Sequence, residues 1–419
     1  MTHHPIITQV SIGKRDILYK WLAEYSHILI VSDTNTATFA EQIIDELDNT
    51  QVLILSSDSA ANLVPDETAI GKIFIAAGQL QANSAVLAVG SGTICDLVRY
   101  VSSRLGLPYH VAATAASMDG YTSSVTALIV GNLKTTYPAK PPAGVLADPD
   151  IFINAPPELS SAGFGDIMGK FTSVSDWEME GLVSNDSGFC PDLASEMRII
   201  AEKCLNEQTP SATMEALLNS GLVMQKAGHS KIASGAEHHL SHYWEMMALM
   251  EGALPALHGA KVGVATLAVL QAQEWLLLED ISSQTWVHAK ELASGFNLPA
   301  WQDEIRSNYY NASDQILAQW QDECSNTRLA LLMRIQDNWP CLKTILSKNA
   351  VTLPQIKSAL VQMNCITTPA SLGITKEVFI TGVLHAFRVR RRFTTWRLLD
   401  IMGLLPLYAE RLADMFEFI

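Results

Sequence analysis

The chain has 419 residues, 48% of them apolar, with a net charge of −15 from 28 basic and 43 acidic side chains. Such a length predicts two domains or slightly more, and such an apolar share excludes a disordered or fibrous chain. The acidic balance argues against nucleic acid or anionic membrane as a partner. It leaves room for an anionic small substrate held at a helix N-terminus or by a metal.

In chain order, residues 6–12 alternate as a short strand and residues 16–25 have helical spacing. Residues 27–33 form a continuous apolar run ending in a polar turn, the pattern of a buried parallel strand. A helix over 36–47, a strand over 51–56, a helix over 68–82 and a strand over 84–89 follow. Strands alternating with helices at this spacing predict βαβ units and a parallel sheet. Asp33 closes the first buried run, where a carboxylate would either bond a ribose hydroxyl or cap the next helix. The first role would favour NAD over NADP.

The 84–89 strand runs into Gly90-Ser91-Gly92-Thr93-Ile94-Cys95-Asp96 and then a helix over 97–105. A glycine turn between strand and helix lets backbone N–H groups approach a phosphate, whose charge the helix dipole favours. The third glycine of a Rossmann fingerprint is missing, so a nucleotide site is expected in a different α/β domain. A strand over 109–113 leads into residues 114–124, Thr-Ala-Ala-Ser-Met-Asp-Gly-Tyr-Thr-Ser-Ser, dense in small donors around Asp119. Residues 132–137 read as a hairpin arm, residues 138–142 as a boundary and residues 144–147 as a last strand.

From residue 157 the texture changes. Helical periods cover 165–180, 193–206, 212–226, 237–251, 260–277, 286–294, 300–350, 376–398 and 406–418. The expectation is an α/β dinucleotide-binding domain over 1–156 and a mainly α-helical metal and substrate domain over 157–419. The basic stretch 388–397 reads as a solvated helix face or a subunit contact. Cysteines at 95, 190, 204, 324, 341 and 365 show no CxxC, which predicts reduced, mostly buried thiols. No signal-peptide pattern opens the chain and no apolar run reaches bilayer length, so a cytoplasmic protein is expected.

The helical half also carries a scattered constellation. Residues 163–170, Gly-Phe-Gly-Asp-Ile-Met-Gly-Lys, stand with 234–242, Ser-Gly-Ala-Glu-His-His-Leu-Ser-His, and 257–259, Leu-His-Gly. They offer one carboxylate and two imidazoles, with His238 and His242 four residues apart. Three protein ligands and an open position are what a catalytic divalent ion needs. A zinc-peptidase HExxH is excluded, because His239 stands where that motif requires Glu.

These segments, with 90–96, 112–124, Asp176-Trp177, 257–263 and 389–394, resemble the bacterial sn-glycerol-1-phosphate dehydrogenases. That family lies in the superfamily of metal-dependent, iron-containing-type alcohol dehydrogenases and dehydroquinate synthases. The likeness runs roughly from 28 to 394, with 278–370 unmatched. It implies that Asp166, His238 and His258 bind the metal, which would be zinc, nickel or iron. It implies that Gly90, Ser91, Gly92, Thr93, Ile94, Cys95, Asp96, Thr114, Ala115, Ala116, Ser117 and Ser123 meet NAD or NADP. Asp119, Asp166 and His242 match substrate-meeting positions, Asp166 and His242 being the catalytic pair, and Lys134 is the candidate holder of a substrate phosphate. Ala236 stands where the family pattern would have Ser.

The implied activity is reduction of dihydroxyacetone phosphate to sn-glycerol 1-phosphate, reversibly, in a homodimer. A polyol dehydrogenase, a sugar-phosphate cyclase of the same superfamily and a non-catalytic nucleotide-binding relative are the rivals. Asp at 166, where the cyclases carry Glu, favours the dehydrogenase.

Overall fold

The computed structural model describes residues 8–56, 63–130, 133–184, 188–348 and 351–419. The chain divides into two compact units: Met1–Ile167 with Glu202–His229, and Met168–Ala201 with Ser230–Ile419. Among the described residues, no helix is long and apolar enough to cross a membrane.

The first unit runs β1 (Gln9–Ile12), α1 (Asp16–Leu22), β2 (His27–Asp33), α2 (Ala37–Ile44), β3 (Thr50–Leu55), α3 (Glu67–Ala77) and β4 (Ser84–Gly90). It continues with α4 (Gly92–Leu105), β5 (Tyr109–Ala113), β6 (Val125–Val130), β7 (Leu133–Pro138), β8 (Gly144–Ala147), α5 (Pro149–Phe152) and α6 (Pro157–Met168). Six strands form a parallel sheet in the order β1-β8-β5-β4-β2-β3, and β6 pairs with β7 as an antiparallel hairpin. Every residue of β4 is buried, as its unbroken run of small and apolar side chains requires for a strand covered on both faces.

The order of strands reverses direction between β2 and β4. In an open α/β sheet, ligands bind beyond the carboxyl ends of strands at such a point. Asp33 ends β2 there and Gly90 ends β4. The Asp33 carboxylate accepts from the amides of Asn35 and Thr36, and it shares the single proton of the Thr36 hydroxyl with the Val89 carbonyl, 2.9 Å from that hydroxyl. It therefore organises the turn into α2 and ties the ends of the two strands together.

After α7 (Lys170–Val183) and α8 (Pro191–Glu207), helix α9 (Pro210–Ala227) belongs again to the first unit. Its Gln225 donates to Thr8 Oγ1 at 2.8 Å and to the Thr122 carbonyl at 2.5 Å.

The second unit continues with α10 (Ala236–Met250), α11 (His258–Leu278), α12 (Ser283–Ser294), α13 (Leu298–Tyr309), α14 (Ser313–Gln319) and α15 (Ser325–Asp337). Then come α16 (Trp339–Ser347), α17 (Leu353–Gln362), α18 (Lys376–His385), α19 (Thr395–Ile401) and α20 (Leu405–Ala413). Helix α11 is apolar all round and buried over most of its length, the state expected of a helix enclosed by others.

Several expectations are corrected here. The helix expected over 300–350 is four helices: Tyr310 turns the chain at φ +44°, Cys324 is extended at the start of α15, and Pro340 opens α16. Helix α17 has no counterpart among the expected elements, nor does strand β6. The expected 376–398 helix is broken between His385 and Thr395.

The 388–397 stretch is no solvated face, because Arg388 and Arg397 are buried. Arg397 bonds Glu323 at 2.7 and 2.8 Å and Asp400 at 2.8 Å; Arg328 bonds the same two carboxylates at 2.9 and 3.0 Å. The four charges close a ring that fastens α15 to α19. Of the cysteines, Cys95, Cys190 and Cys204 are buried, while Cys341 is exposed and Cys324 and Cys365 are half-buried.

Candidate active site

In the first unit, β4 ends in Gly90 because a Cβ there would stand 2.7 Å from the Cβ of Ile94. Ser91 is extended at the N-cap of α4 and makes no side-chain cap bond. The first amides of α4 therefore open the helix beyond the sheet's carboxyl edge, at the switch point, where an anion is favoured. This is the fit that a dinucleotide's pyrophosphate needs.

The loop that follows β5 is fixed by its own side chains. Thr114 N donates to the Gly90 carbonyl at 3.2 Å, Tyr121 Oη donates to the Ala115 carbonyl at 2.5 Å, and Ser117 Oγ lies 3.3 Å from Tyr121 Oη. Ser123 Oγ accepts from Val125 N at 3.1 Å. Arg99, a residue the sequence did not single out, stands fully buried in α4. It pairs with Asp96 at 2.5 Å, bonds Tyr109 Oη, and donates to the carbonyls of Gly120, Tyr121 and Val125. One guanidinium thus holds the turn that carries Asp119.

Asp119 accepts from Ser220 Oγ of α9 at 3.3 Å, and its amide donates to Asp166 Oδ2 at 3.1 Å. Asp166 is wholly buried near the end of α6, two residues before the chain enters the second unit. The first unit therefore groups the residues expected to meet the cofactor with Asp119 and Asp166. Lys134 lies in β7, with its side chain outside the described residues.

The second unit groups the imidazoles. His238 and His242 lie one turn apart on α10, and His258 is the first residue of α11. Ring centroids are 5.2 Å apart for His238 and His258, 5.4 Å for His242 and His258, and 6.1 Å for His238 and His242.

His238 Nδ1 lies 2.8 Å from Glu237 Oε1, so the carboxylate fixes the ring through that nitrogen. Glu237 also accepts from Gly235 N at 2.7 Å and from Thr172 Oγ1 at 2.7 Å. Burial works against its charge, but the bonds from His238, Thr172 and Gly235 prevail and hold its carboxyl below the usual range. An imidazole backed by a carboxylate is the arrangement that raises ligand basicity toward a metal ion.

Asp176 supports the same helix. Its Oδ2 accepts from Ala236 N at 2.7 Å, while Oδ1 accepts from Thr395 N at 2.8 Å and Thr395 Oγ1 at 2.7 Å. One buried carboxylate caps both α10 and α19. Burial, with the Glu237 charge added, pushes its carboxyl up to about 8. Neither Glu237 nor Asp176 was assigned a role from sequence.

The Gly-Ser-Gly loop yields a direct test. A Cβ at Gly92 would meet only the Met118 side chain, at 3.3 Å, so Gly92→Val should fold. Its isopropyl group would occupy the approach to the α4 amides. NADH affinity is expected to fall about tenfold or more, roughly 1.4 kcal/mol per decade. An unchanged NADH titration would show the loop to be a structural turn alone.

A family model described as iron-containing alcohol dehydrogenase matches residues 7–156. The chain is 38% identical over 281 residues to the glycerol-1-phosphate dehydrogenase (NAD(P)+) of Halalkalibacterium halodurans, covering 62% of this chain and 69% of that one. It is 36% identical to the enzyme of the same name from Geobacillus thermodenitrificans, with 62% and 68% covered. Among solved structures, glycerol dehydrogenase from Schizosaccharomyces pombe shares the fold at 16% identity, with a TM-score of 0.59 over 99% of this chain and 92% of that one. Sulfoacetaldehyde reductase from Bifidobacterium kashiwanohense in complex with NAD+ does so at 14% identity and a TM-score of 0.56, over 99% of each chain. With more than two thirds of such relatives covered above 30% identity, this chain belongs to the glycerol-1-phosphate dehydrogenase family, of the iron-containing alcohol dehydrogenase type.

Proposed function

We propose that this protein reduces dihydroxyacetone phosphate to sn-glycerol 1-phosphate, reversibly, using NADH or NADPH and one divalent ion. The observation that carries the reading is the carboxylate-backed His238 beside His258, in a chain 38% identical to a glycerol-1-phosphate dehydrogenase. Residues 1–156 would hold the dinucleotide, and residues 157–419 the ion and, together with Asp119, the substrate.

Asp166, His238 and His258 would hold the ion, a carboxylate and two neutral imidazoles being a donor set that suits zinc, nickel or iron. When bound, the ion polarises the ketone and the nicotinamide supplies hydride. The chain's own residues do the rest. The α4 amides and the 114–117 loop receive the cofactor's phosphates and ribose, with Gly92 leaving the approach open. Asp119 holds a substrate hydroxyl, fixed by Arg99 through the turn around it. His242, on the same face of α10 as His238, provides the proton that the reduced oxygen needs. Glu237 keeps His238 oriented.

The test is the loss of NADH absorbance with dihydroxyacetone phosphate, run beside dihydroxyacetone. Turnover with the phosphorylated ketone alone is expected. Preference for the unphosphorylated ketone would assign a polyol dehydrogenase instead. Absence of turnover with either, in protein carrying its ion, would sink the reading.

A further inference from the structure

We infer that Glu245, paired with Lys261, is a positioning residue for His242; the inference rests on the function proposed above. Glu245 is 7% exposed and lies three residues after His242 on α10, so the two share a helix face. Its Oε2 stands 3.8 Å from His242 Nδ1 and 3.5 Å from Lys261 Nζ.

Lys261 is 3% exposed in the first turn of α11, and its ammonium also donates to the Ala256 carbonyl at 2.8 Å. A buried carboxylate is costly unless a cation compensates it, and Lys261 does so here. The His242 ring also stacks against His258, with planes 26° apart. The imidazole thus has a ring and a carboxylate against it, with its Nδ1 edge turned to Glu245. With Nδ1 facing Glu245, His242 gives the proton to the oxygen of the ketone as it is reduced, and afterwards takes one from water. Glu245 holds the orientation of the ring without touching the substrate.

The same atoms allow a competing role. His242, Glu245 and His258 offer ligand atoms within 4.8 Å of one another, as a metal seat would. The Lys261 ammonium beside Glu245 Oε2 disfavours a second cation at that oxygen, which is why we assign positioning.

The experiment uses full-length, metal-loaded protein and the substitution Glu245→Gln, which keeps shape and removes charge. Expected are a fall in kcat of about 10–100-fold, the range for losing a residue that orients a site imidazole, with KM for dihydroxyacetone phosphate and metal content unchanged. Nitrogen NMR should show the His242 ring signals moved and those of the other histidines in place. Glu245→Asp, which restores the charge on a shorter arm, should recover part of the loss. Metal loss would make Glu245 a ligand and overturn the inference. So would an unchanged kcat, an unmoved His242 signal, or a kcat loss that Asp leaves uncorrected. Wild-type turnover in parallel tests the proposed function separately.

Discussion

Alanine at Asp166 is expected to abolish ketone reduction while leaving NADH binding in place, and chelation of the unmodified protein is expected to do the same. A divalent ion held by a carboxylate and two imidazoles loses its only anionic ligand in this variant, and a two-imidazole site is too weak to retain it. Polarisation of the carbonyl contributes several kcal/mol to the reaction. About 4 kcal/mol of that corresponds to roughly a thousandfold in rate. The contacts proposed for the dinucleotide, at the α4 amides and the 114–117 loop, involve neither imidazole. Asp166 also accepts from Asp119 N at 3.1 Å, so alanine leaves a donor unmade at a cost of about 1–3 kcal/mol. Asp166→Asn separates the two effects. It keeps an acceptor for Asp119 N and removes the charge, so stability should stay near that of the unmodified protein while metal content falls. Metal analysis and NADH titration on the same samples decide the matter. One ion per chain retained in Asp166→Ala would remove Asp166 from the ligand set.

The sheet was legible because its strands are short apolar runs bounded by polar turns, and β4 with its Gly-Ser-Gly loop is the clearest case. The helical part was legible in type and less so in boundaries. The breaks at Tyr310 and Cys324 come from a backbone turn and an extended cap, and neither has a Pro or Gly to mark it.

Buried charges were the harder part. Arg99, Asp176 and Lys261 look like surface residues in a linear reading, since most of their partners lie on other elements. Arg397 lies in a stretch that reads as a solvated helix face or a subunit contact, because Glu323 is 74 residues away. Glu237 is a different case. Adjacent residues on a helix do not face each other, so spacing alone would reject a Glu237–His238 bond. It forms because Glu237 sits in the first turn and folds back over the Gly235 amide, bringing its carboxylate to His238 Nδ1.

Gly163→Ala should be the most destabilising single methyl addition in the first unit, and it should weaken NADH binding as well. In an exposed helix interior, Gly to Ala stabilises by about 0.5–1 kcal/mol, because glycine loses more conformational freedom on folding. At Gly163 the sign reverses. A Cβ there would lie 2.0 Å from the Ala116 carbonyl oxygen and 2.8 Å from its carbon, with Leu217 Cδ1 at 3.0 Å on the other side. The obstacle is backbone and cannot rotate aside. The neighbouring Ala115 carbonyl is held by Tyr121 Oη, so the loop would have to move as a body. Overpacking of this kind costs about 1–3 kcal/mol and more where the neighbour is rigid. The loop that moves is the one proposed to receive the cofactor, and the helix that moves carries Asp166. Melting temperature and NADH affinity should therefore fall together. Gly71→Ala in α3 is the control, since no atom lies within 4 Å of its added Cβ. It should gain the ordinary helix increment and bind NADH unchanged. A Gly163→Ala protein that melts as high as the Gly71→Ala protein would mean that α6 does not rest on the 114–117 loop, and that this glycine serves no close approach.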